Sequence, residues 1–397
     1  MRLLAISAAL SLATAIAPAA WADEVTHWRL FVADHADPIV TVVDLDAEAP
    51  GAKFDLAAPA TLYTTTSKAA VYAVQGSADR VSAIASGIAI DDHGDHGDIT
   101  IAEPTLLPDV VNGKRPVHFV EHDGRIAIFF DDEGRAALVD ETQWLSGGLA
   151  ATDLVAAAPH HGVAAPVGAF TLLSRANAED PSALPVGVDV FGADGKQVGD
   201  LHACPDLHGE ATSGHTLAIA CATGLLLVDE ATDGPVIKHL PYATDLPQGK
   251  STTLLGGVGM QYWLGNYGAD RVAIIDPSAD NPFRLVDLPA RRVHFAVDPE
   301  AVRYAYVFTE DGKLNRLDVV NGTIDASVTV TEPYSMDGEW SLPRPRIAVA
   351  GSEIVVTDPL KGQLHVVDAK AFAVSRTVEL GGRPYNIVAL GGSGETH

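Results

Sequence analysis

The sequence has few cysteines and few basic residues. Only Cys204 and Cys221 are present among its 397 residues, and neither belongs to a Cys-x-x-Cys or Cys-x-x-Cys-His motif. This excludes covalent c-type haem and argues against the usual cysteine-rich zinc sites. The chain has 26 Lys and Arg against 52 Asp and Glu, a formal net charge of −26. Such a charge repels nucleic acid and anionic lipid and attracts cations, so we expect no nucleic-acid partner.

Long apolar runs are missing after the N-terminus. Met1-Arg2, a mostly apolar run from Leu3 to Ala17 and the small-residue site Ala20-Trp21-Ala22 indicate a cleavable signal peptide over residues 1–22. No later run approaches the ~20 apolar residues that span a bilayer. We therefore expect a periplasmic protein without membrane insertion.

The two cysteines suit an oxidising compartment and flank two predicted neighbouring strands. A local disulfide between Cys204 and Cys221 is the prediction. A reduced pair that binds metal is the alternative.

Helical periodicity is nearly absent, and the chain instead repeats two β-branched runs joined by a polar turn. Seven clear copies begin at Arg29, Ala70, Ile126, Thr216, Tyr262, Tyr304 and Ile354, and a looser copy lies between Ala169 and Lys196. With the flanking strand-like segments, each repeat has about four strands in roughly 40 to 50 residues, the size of a propeller blade. We predict an all-β fold, a single β-propeller of eight four-stranded blades. Seven blades with an insertion, or a two-domain β protein, are the alternatives.

The two ends of the chain complement each other. The segment that starts at Arg383 resembles the first strand of a blade, whereas residues from Asp23 onward begin with a second strand. Pairing them in one blade closes the ring and removes an open sheet edge. We predict a propeller over residues 23–390 and a flexible tail over residues 391–397.

Three histidines occupy the same place in consecutive repeats, in Pro116-Val-His118, Pro159-His-His161 and Pro205-Asp-Leu-His208. Because the first strand of each blade lines the central channel, these residues should meet at one mouth. Imidazole suits Zn²⁺ better than Ca²⁺ or Mg²⁺, so we predict that His118, His161 and His208 bind one Zn²⁺. His160 is an alternative ligand. Acidic residues in turns at that mouth, Asp34, Asp37 and Asp131, are candidates for a fourth ligand.

A second metal-prone tract runs from Asp91 to Asp98, with the sequence DDHGDHGD. We predict a weaker site there, formed by His93, Asp95, His96 and Asp98, whose glycine-loosened geometry favours fast exchange. In a propeller blade this loop joins the third and fourth strands, at the opposite end of the ring from the three histidines. The alternative is a solvated turn.

Four segments carry a resemblance to a known family: RPVHF at His118, PHHG at His161, CPDLHGE from Cys204 to Glu210, and HGDHGD. Over nearly the whole length after the signal, the chain resembles exported propeller metallochaperones of the AztD type, which are associated with zinc-uptake ABC transporters. It is also similar in repeat style to YVTN-like propellers, which indicates fold alone.

The resemblance implies a non-enzymatic periplasmic protein that binds zinc and delivers it to the solute-binding protein of an ABC transporter. It also implies that His118, His161 and His208 are the ligands, with a fourth ligand unmatched. We expect a monomer.

Two other functions are compatible with these residues. Three histidines with an open fourth position also occur in zinc-dependent hydrolases, where Glu121 or Glu210 would act as the general base. A protein-interaction scaffold without metal is the third hypothesis, and metal analysis separates it from the other two.

Overall fold

In a computed structural model of the protein, residues 23–47, 49–93 and 97–396 are described. The predicted signal, residues 1–22, lies outside this range. The described chain forms strands almost throughout, and none of its helices is long and apolar enough to cross a membrane.

The first half of the described chain contains seventeen strands and two short helices. The strands are β1 (Asp23–Asp34), β2 (Ile39–Asp44), β3 (Lys53–Asp55), β4 (Thr61–Thr64), β5 (Ala70–Gln75), β6 (Arg80–Ala85), β7 (Ile88–Asp92), β8 (Gly97–Ile101), β9 (Thr105–Asn112), β10 (Pro116–His122), β11 (Arg125–Phe130), β12 (Arg135–Asp140), β13 (Ala151–Val155), β14 (Ala164–Val167), β15 (Phe170–Arg175), β16 (Gly187–Phe191) and β17 (Gln197–Ala203). The helices are a 3₁₀ turn, Gly76–Ala78, and α1, Glu141–Leu145.

The second half of the described chain contains strands only. They are β18 (Glu210–Ser213), β19 (Thr216–Cys221), β20 (Gly224–Asp229), β21 (Val236–Pro241), β22 (Leu254–Leu255), β23 (Trp263–Asn266), β24 (Arg271–Ile275), β25 (Phe283–Asp287), β26 (Arg292–Val297), β27 (Tyr304–Thr309), β28 (Lys313–Asp318), β29 (Thr323–Thr329), β30 (Ile347–Ala350), β31 (Glu353–Asp358), β32 (Gln363–Asp368), β33 (Ala373–Glu379) and β34 (Pro384–Thr396).

These strands form eight antiparallel blades, which confirms the predicted eight-bladed propeller. Blade 1 contains β34, β1, β2 and β3, and blade 2 contains β4, β5, β6 and β9. Blades 3 to 8 follow in chain order as β10–β13, β14–β17, β18–β21, β22–β25, β26–β29 and β30–β33. Each predicted pair of β-branched runs is the second and third strand of one blade.

The burial of each strand follows its place in the blade. Second strands are packed on both faces by neighbouring blades and are apolar nearly throughout; all six residues of β5 are buried. Outer strands alternate, as in β29, because only one of their faces meets another blade. Aromatic side chains fill the gaps between blades, and the rings of Tyr72 and Phe119 stack at 4.8 Å between blades 2 and 3.

The termini close the ring as predicted. β34 is the inner strand of blade 1 and pairs with β1, from Asp23 opposite Thr396 to Asp34 opposite Pro384, with a register shift after Val32. The predicted flexible tail from residue 391 is wrong for residues 391–396, which continue β34. The physical reason is the run of small residues, which lets β34 fit between β1 and β8; a Cβ at Gly391 would collide with the carbonyl oxygen of His27.

An extra hairpin extends blade 1. Strands β7 and β8 lie in sequence between the third and fourth strands of blade 2, yet β8 pairs with β34, which gives the sheet order β3-β2-β1-β34-β8-β7. Arg29 anchors the base of the hairpin, because its Nη1 donates to the carbonyl oxygens of Ser86 and Ala102 at 2.6 and 2.8 Å. The His-Asp tract is the turn of this hairpin.

The inner strand of every blade begins on one face of the ring, which we call the front face. Since neighbouring strands are antiparallel, the links between blades and the turns between second and third strands lie on the front face as well. The turns between third and fourth strands, including the β7–β8 hairpin, lie on the opposite back face.

Candidate metal centre

The three predicted histidines lie on the front face, at the starts of three consecutive inner strands. His118 is the third residue of β10, beside a β-bulge in its pairing with β11. His161 lies in the link that precedes β14, and His208 lies in the link that precedes β18. The disulfide between Cys204 and Cys221 ties the His208 link to β19, as predicted. Each imidazole is therefore held by a different blade.

The imidazole Nε2 atoms of these residues converge. The Nε2 atom of His161 lies 3.4 Å from that of His118 and 3.4 Å from that of His208. One ligand atom from each of the three residues lies within 4.8 Å of the other two. Two nitrogens bound tetrahedrally to one Zn²⁺ at ~2.0 Å are about 3.3 Å apart. The two Nε2–Nε2 distances of 3.4 Å thus fit a single zinc ion, and the third residue pair lies within the 4.8 Å limit.

Each of the three rings is oriented by a contact at its other nitrogen. The Nδ1 of His161 donates to Oδ2 of Asp131 at 2.7 Å, and the Nδ1 of His208 donates to the carbonyl oxygen of Thr252 at 2.8 Å. The Nδ1 of His118 lies 3.3 Å from Oε1 of Glu210. A proton on Nδ1 leaves the Nε2 lone pair free for a metal. The three lone pairs therefore face one point.

Buried negative charge surrounds the imidazoles. The side chain of Asp131 is 4% exposed and that of Glu210 is 12% exposed. Asp131 Oδ1 and Glu210 Oε2 are buried without a hydrogen-bond partner among the described residues. Carboxylates in a low-dielectric setting stabilise a nearby cation strongly. The site therefore favours a positive ion bound between the histidines.

The same surroundings shift the pKa values of the site. Burial opposes protonation of His118, but the neighbouring Glu210 carboxylate outweighs it and raises the pKa of His118 above 6.5. Burial lowers the pKa of His208. Burial by itself would raise the pKa of Glu210, whereas the charge of His118 and its hydrogen bond lower that pKa. Glu210 is thus ionised at neutral pH and stabilises positive charge at the site.

His160, the alternative ligand, is turned away from the other histidines. Its Nδ1 lies 2.9 Å from the carbonyl oxygen of Ala158, and its Nε2 lies 2.8 Å from Oγ of Ser174. Burial lowers the pKa of His160. Both ring nitrogens thus have partners away from the three converging Nε2 atoms, and the structure does not bring His160 together with His118, His161 and His208.

Three of the acidic candidates for a fourth ligand or a base, Asp131, Glu210 and Asp34, have hydrogen-bond partners of their own. Asp131 and Glu210 contact the outer nitrogens of His161 and His118. Asp34 accepts hydrogen bonds from the main-chain nitrogens of Ala36 and Asp37 and so caps its own turn.

The other candidate base, Glu121, accepts hydrogen bonds from the main-chain nitrogens of Thr66 and Gly124. It therefore closes turns rather than facing the three imidazoles.

The predicted loop site is only partly described. Asp95 and His96 lie outside the described residues. His93 is 51% exposed in its side chain, and its Nε2 lies 3.3 Å from Oδ2 of Asp98. One imidazole and one carboxylate of the predicted set thus lie together across the turn of the hairpin, on the back face.

A group that the sequence analysis did not assign lies in blade 1. His27 Nε2 lies 3.4 Å from Oδ1 of Asp44, and His27 Nδ1 lies 3.4 Å from Oδ2 of Asp46. Asp44 is also held at both oxygens by Arg29, at 2.5 and 3.0 Å. The guanidinium takes one lone pair on each Asp44 oxygen and offsets the charge of that carboxylate, which disfavours a cation there. The alternation of His27 and Arg29 along β1 was the one available signal, since it places both on the same face.

The chain is similar to known zinc proteins over its whole length. No protein-family model matches it. It is 52% identical to a Citrobacter koseri protein named zinc chaperone AztD, over 100% of this chain and 94% of that protein.

Solved structures give the same result. The crystal structure of Citrobacter koseri AztD has a TM-score of 0.92 at 52% identity, and that of apo AztD from the same organism has 0.89 at 51%; each alignment covers 94% of this chain and 100% of the other. The dihydro-heme d1 dehydrogenase NirN, 14% identical over 90% of this chain and 74% of its own, has a TM-score of 0.57. At that identity the likeness concerns the fold alone.

Proposed function

The chain belongs to the AztD family of zinc chaperones, and from this premise we propose that it binds one Zn²⁺ through His118, His161 and His208 and hands the ion to another protein. The observation that carries the proposal is the convergence of the three Nε2 atoms, 3.4 Å apart in two of the pairs. Zinc is the cargo in this function. The residues of the chain hold it, orient their imidazoles and supply the surrounding negative charge.

We propose that the zinc is delivered in the periplasm. The receiving partner is the zinc-binding solute-binding protein of an ABC transporter. A Cys204–Cys221 disulfide is suited to an oxidising compartment. The predicted signal peptide over residues 1–22 supports the same location.

The position of the carboxylates favours a carrier over a hydrolase. A hydrolytic zinc site needs a general base free to take a proton from the bound water. Here Asp131 and Glu210 each face the Nδ1 of a zinc-ligand candidate, which raises the basicity of the imidazole. Both carboxylates thus serve metal affinity, and we propose no enzymatic activity.

The His-Asp hairpin has a second role in the proposal. His93, Asp95, His96 and Asp98 capture zinc weakly and exchange it quickly. Because the hairpin lies on the back face, it does not share an ion with the front-face histidines. Replacing residues 92–98 by a short Gly-Ser turn should slow zinc uptake and leave the equilibrium affinity of the tight site unchanged.

The ligand assignment is tested by zinc titration in competition with a chromophoric chelator. His118→Ala, His161→Ala and His208→Ala should each lose most of the tight affinity and keep the fold. His239→Ala is the matched control, because His239 lies on an outer strand with its Nε2 beside Thr223 Oγ1. Wild-type affinity in all three ligand variants would refute the assignment.

The handover is tested by mixing the zinc-loaded protein with the apo solute-binding protein. Transfer to this partner should be faster than release to a chelator of similar affinity, because direct exchange avoids free dissociation. Equal rates would refute the chaperone function. A protein that purifies without zinc and gains no thermal stability from it would instead be a scaffold.

A further inference from the structure

Among the described residues, Trp340 is an exposed aromatic side chain on the front face that folding does not explain. Trp340 is 91% exposed, whereas the other described tryptophans, Trp28, Trp144 and Trp263, are 7%, 1% and 2% exposed. A tryptophan in water forgoes the large stabilisation that its burial provides. Exposed aromatics on a rigid support are typical anchors of protein interfaces.

Hydrogen bonds cross-link the loop that carries Trp340. It lies in residues 330–346, the longest link between blades in the described chain, which joins β29 to β30. Arg344 is 5% exposed and holds this link together. Its guanidinium lies 2.9 to 3.4 Å from five main-chain carbonyl oxygens of the link, and the three contacts of Nη1 share its two protons. These are the oxygens of Ser335, Asp337, Glu339, Trp340 and Leu342. The side chain of Trp340 is therefore presented on an ordered loop.

Contacts to other blades hold the link against the ring. His35, in the β1–β2 turn, has its Nε2 2.7 Å from the carbonyl oxygen of Ser341. Arg291 Nη1 donates to Oδ1 of Asp337 at 3.0 Å. Little ordering entropy is lost when a partner binds such a pre-organised loop.

Two exposed leucines belong to the same part of the front face. Leu342 is 46% exposed and lies on the link itself. Leu360 is 73% exposed, in the β31–β32 turn, and its main-chain nitrogen donates to the hydroxyl of Tyr334 in the link. We call Trp340, Leu342 and Leu360 the Trp340 surface. It lies on blades 7 and 8, on the face that carries the three histidines.

We propose that the Trp340 surface is the docking site of the protein that receives the zinc. The inference rests on the proposed function. Direct transfer requires the acceptor to cover the mouth where the three Nε2 atoms meet. The histidines are held by blades 3 to 5 and the Trp340 surface by blades 7 and 8, so an acceptor that spans the channel mouth on the front face would reach both. Exposed acidic side chains lie on the same link, at Glu332 and Glu339, whereas the exposed Asp337 is paired with Arg291. The complementary partner has an apolar pocket bordered by lysine or arginine.

The experiment measures zinc transfer to the solute-binding protein by stopped flow at limiting acceptor. Trp340→Ala should lower the second-order rate constant by about tenfold or more. Its zinc affinity should stay unchanged, because no atom of Trp340 belongs to the metal centre. Val320→Ala is the matched control, since Val320 is 67% exposed but lies in the β28–β29 turn on the back face. Its rate constant should equal that of the wild type.

The acidic side chains of the link are tested in the same assay. Glu339→Gln should lower the rate constant and weaken its dependence on salt, because it removes a charge that steers a basic partner. A rate constant and salt dependence equal to those of the wild type would contradict a basic partner surface.

The possible results distinguish between the proteins that could bind the Trp340 surface. Fast wild-type transfer with an unchanged rate in Trp340→Ala would overturn the docking site and leave the chaperone function intact. Wild-type transfer no faster than release to a chelator would overturn both. Sedimentation that shows a wild-type dimer and a Trp340→Ala monomer would assign the surface to a second copy of the chain and overturn the acceptor.

Discussion

Substitution of Asp131 by asparagine tests whether the buried carboxylates determine zinc affinity. Asp131 lies in the β11–β12 turn, is 4% exposed in its side chain and bonds the Nδ1 of His161 at 2.7 Å. Asparagine keeps the shape but removes the charge, and its amide group can donate to Nδ1 and so move the imidazole proton to Nε2. That tautomer has no lone pair for the metal.

The expected loss of zinc affinity follows from the hydrogen bond between Asp131 and His161. Loss of a hydrogen-bonded partner of a metal-binding histidine lowers metal affinity about 10- to 100-fold. At about 1.4 kcal/mol per tenfold change, this corresponds to roughly 1.4 to 2.8 kcal/mol of binding free energy. Asp131→Asn should therefore weaken zinc binding by at least about tenfold.

The adjacent residue supplies the control. Asp132 is 55% exposed, and its Oδ1 lies 3.4 Å from Nη1 of Arg115. Asp132→Asn changes the net charge equally, but an exposed charge is screened by salt, so its effect should stay below about threefold. Zinc affinity is measured by competition with a chromophoric chelator, and thermal melting verifies the fold of both variants. Equal losses in the two variants would refute the role of the Asp131–His161 contact and leave only a general effect of acidic charge.

Three further predictions concern His160, the pKa of His118 and the disulfide. His160→Ala should leave zinc affinity unchanged but lower the free energy of unfolding by about 1 to 3 kcal/mol, because the buried Ser174 hydroxyl keeps the main-chain nitrogen of Val163 as a donor but loses the acceptor for its own proton; weaker zinc binding would instead support His160 as a ligand. Zinc affinity should fall as the pH falls through the pKa of His118, and the fall should begin above pH 6.5 because Glu210 raises that pKa and zinc needs the neutral ring; titrations that give one affinity across this range would contradict it. Replacing Cys204 and Cys221 by serine should lower the free energy of unfolding by about 3 kcal/mol for a loop of this length, measured by urea denaturation, and an unchanged urea midpoint would argue against a stabilising disulfide.

The blade architecture was predictable because it is encoded locally. A second strand buried on both faces must be apolar nearly throughout, as in β5, and a third strand must follow it after a tight polar turn. This unit recurs eight times, so its count and spacing indicated the propeller. The ring closure was predictable for a related reason, since the first and last segments are incomplete repeats that complement each other.

The sequence predicted which histidines lie near one another, but not how their rings are oriented. Equivalent points of consecutive repeats are neighbours around a common axis, which singled out His118, His161 and His208 among 15 histidines. The sequence could not decide between His160 and His161, because the backbone direction at the link between two blades sets where each ring points. The ring of His160 turns inward to Ser174, and the ring of His161 turns to the mouth of the channel.

Other features depend on contacts between segments far apart in the chain. Glu210 reaches His118 across 92 residues, and the carbonyl oxygen of Thr252 reaches His208 across 44. No local pattern encodes such pairs, because they arise when neighbouring blades are packed side by side. The pairing of residues 391–396 with β1 has the same origin: a glycine-rich end looks flexible in isolation, and its small residues become an advantage once two strands enclose it. Local patterning thus specified the blades and the histidines they carry, while packing between blades specified the orientation and charge that make the three imidazoles a candidate zinc site.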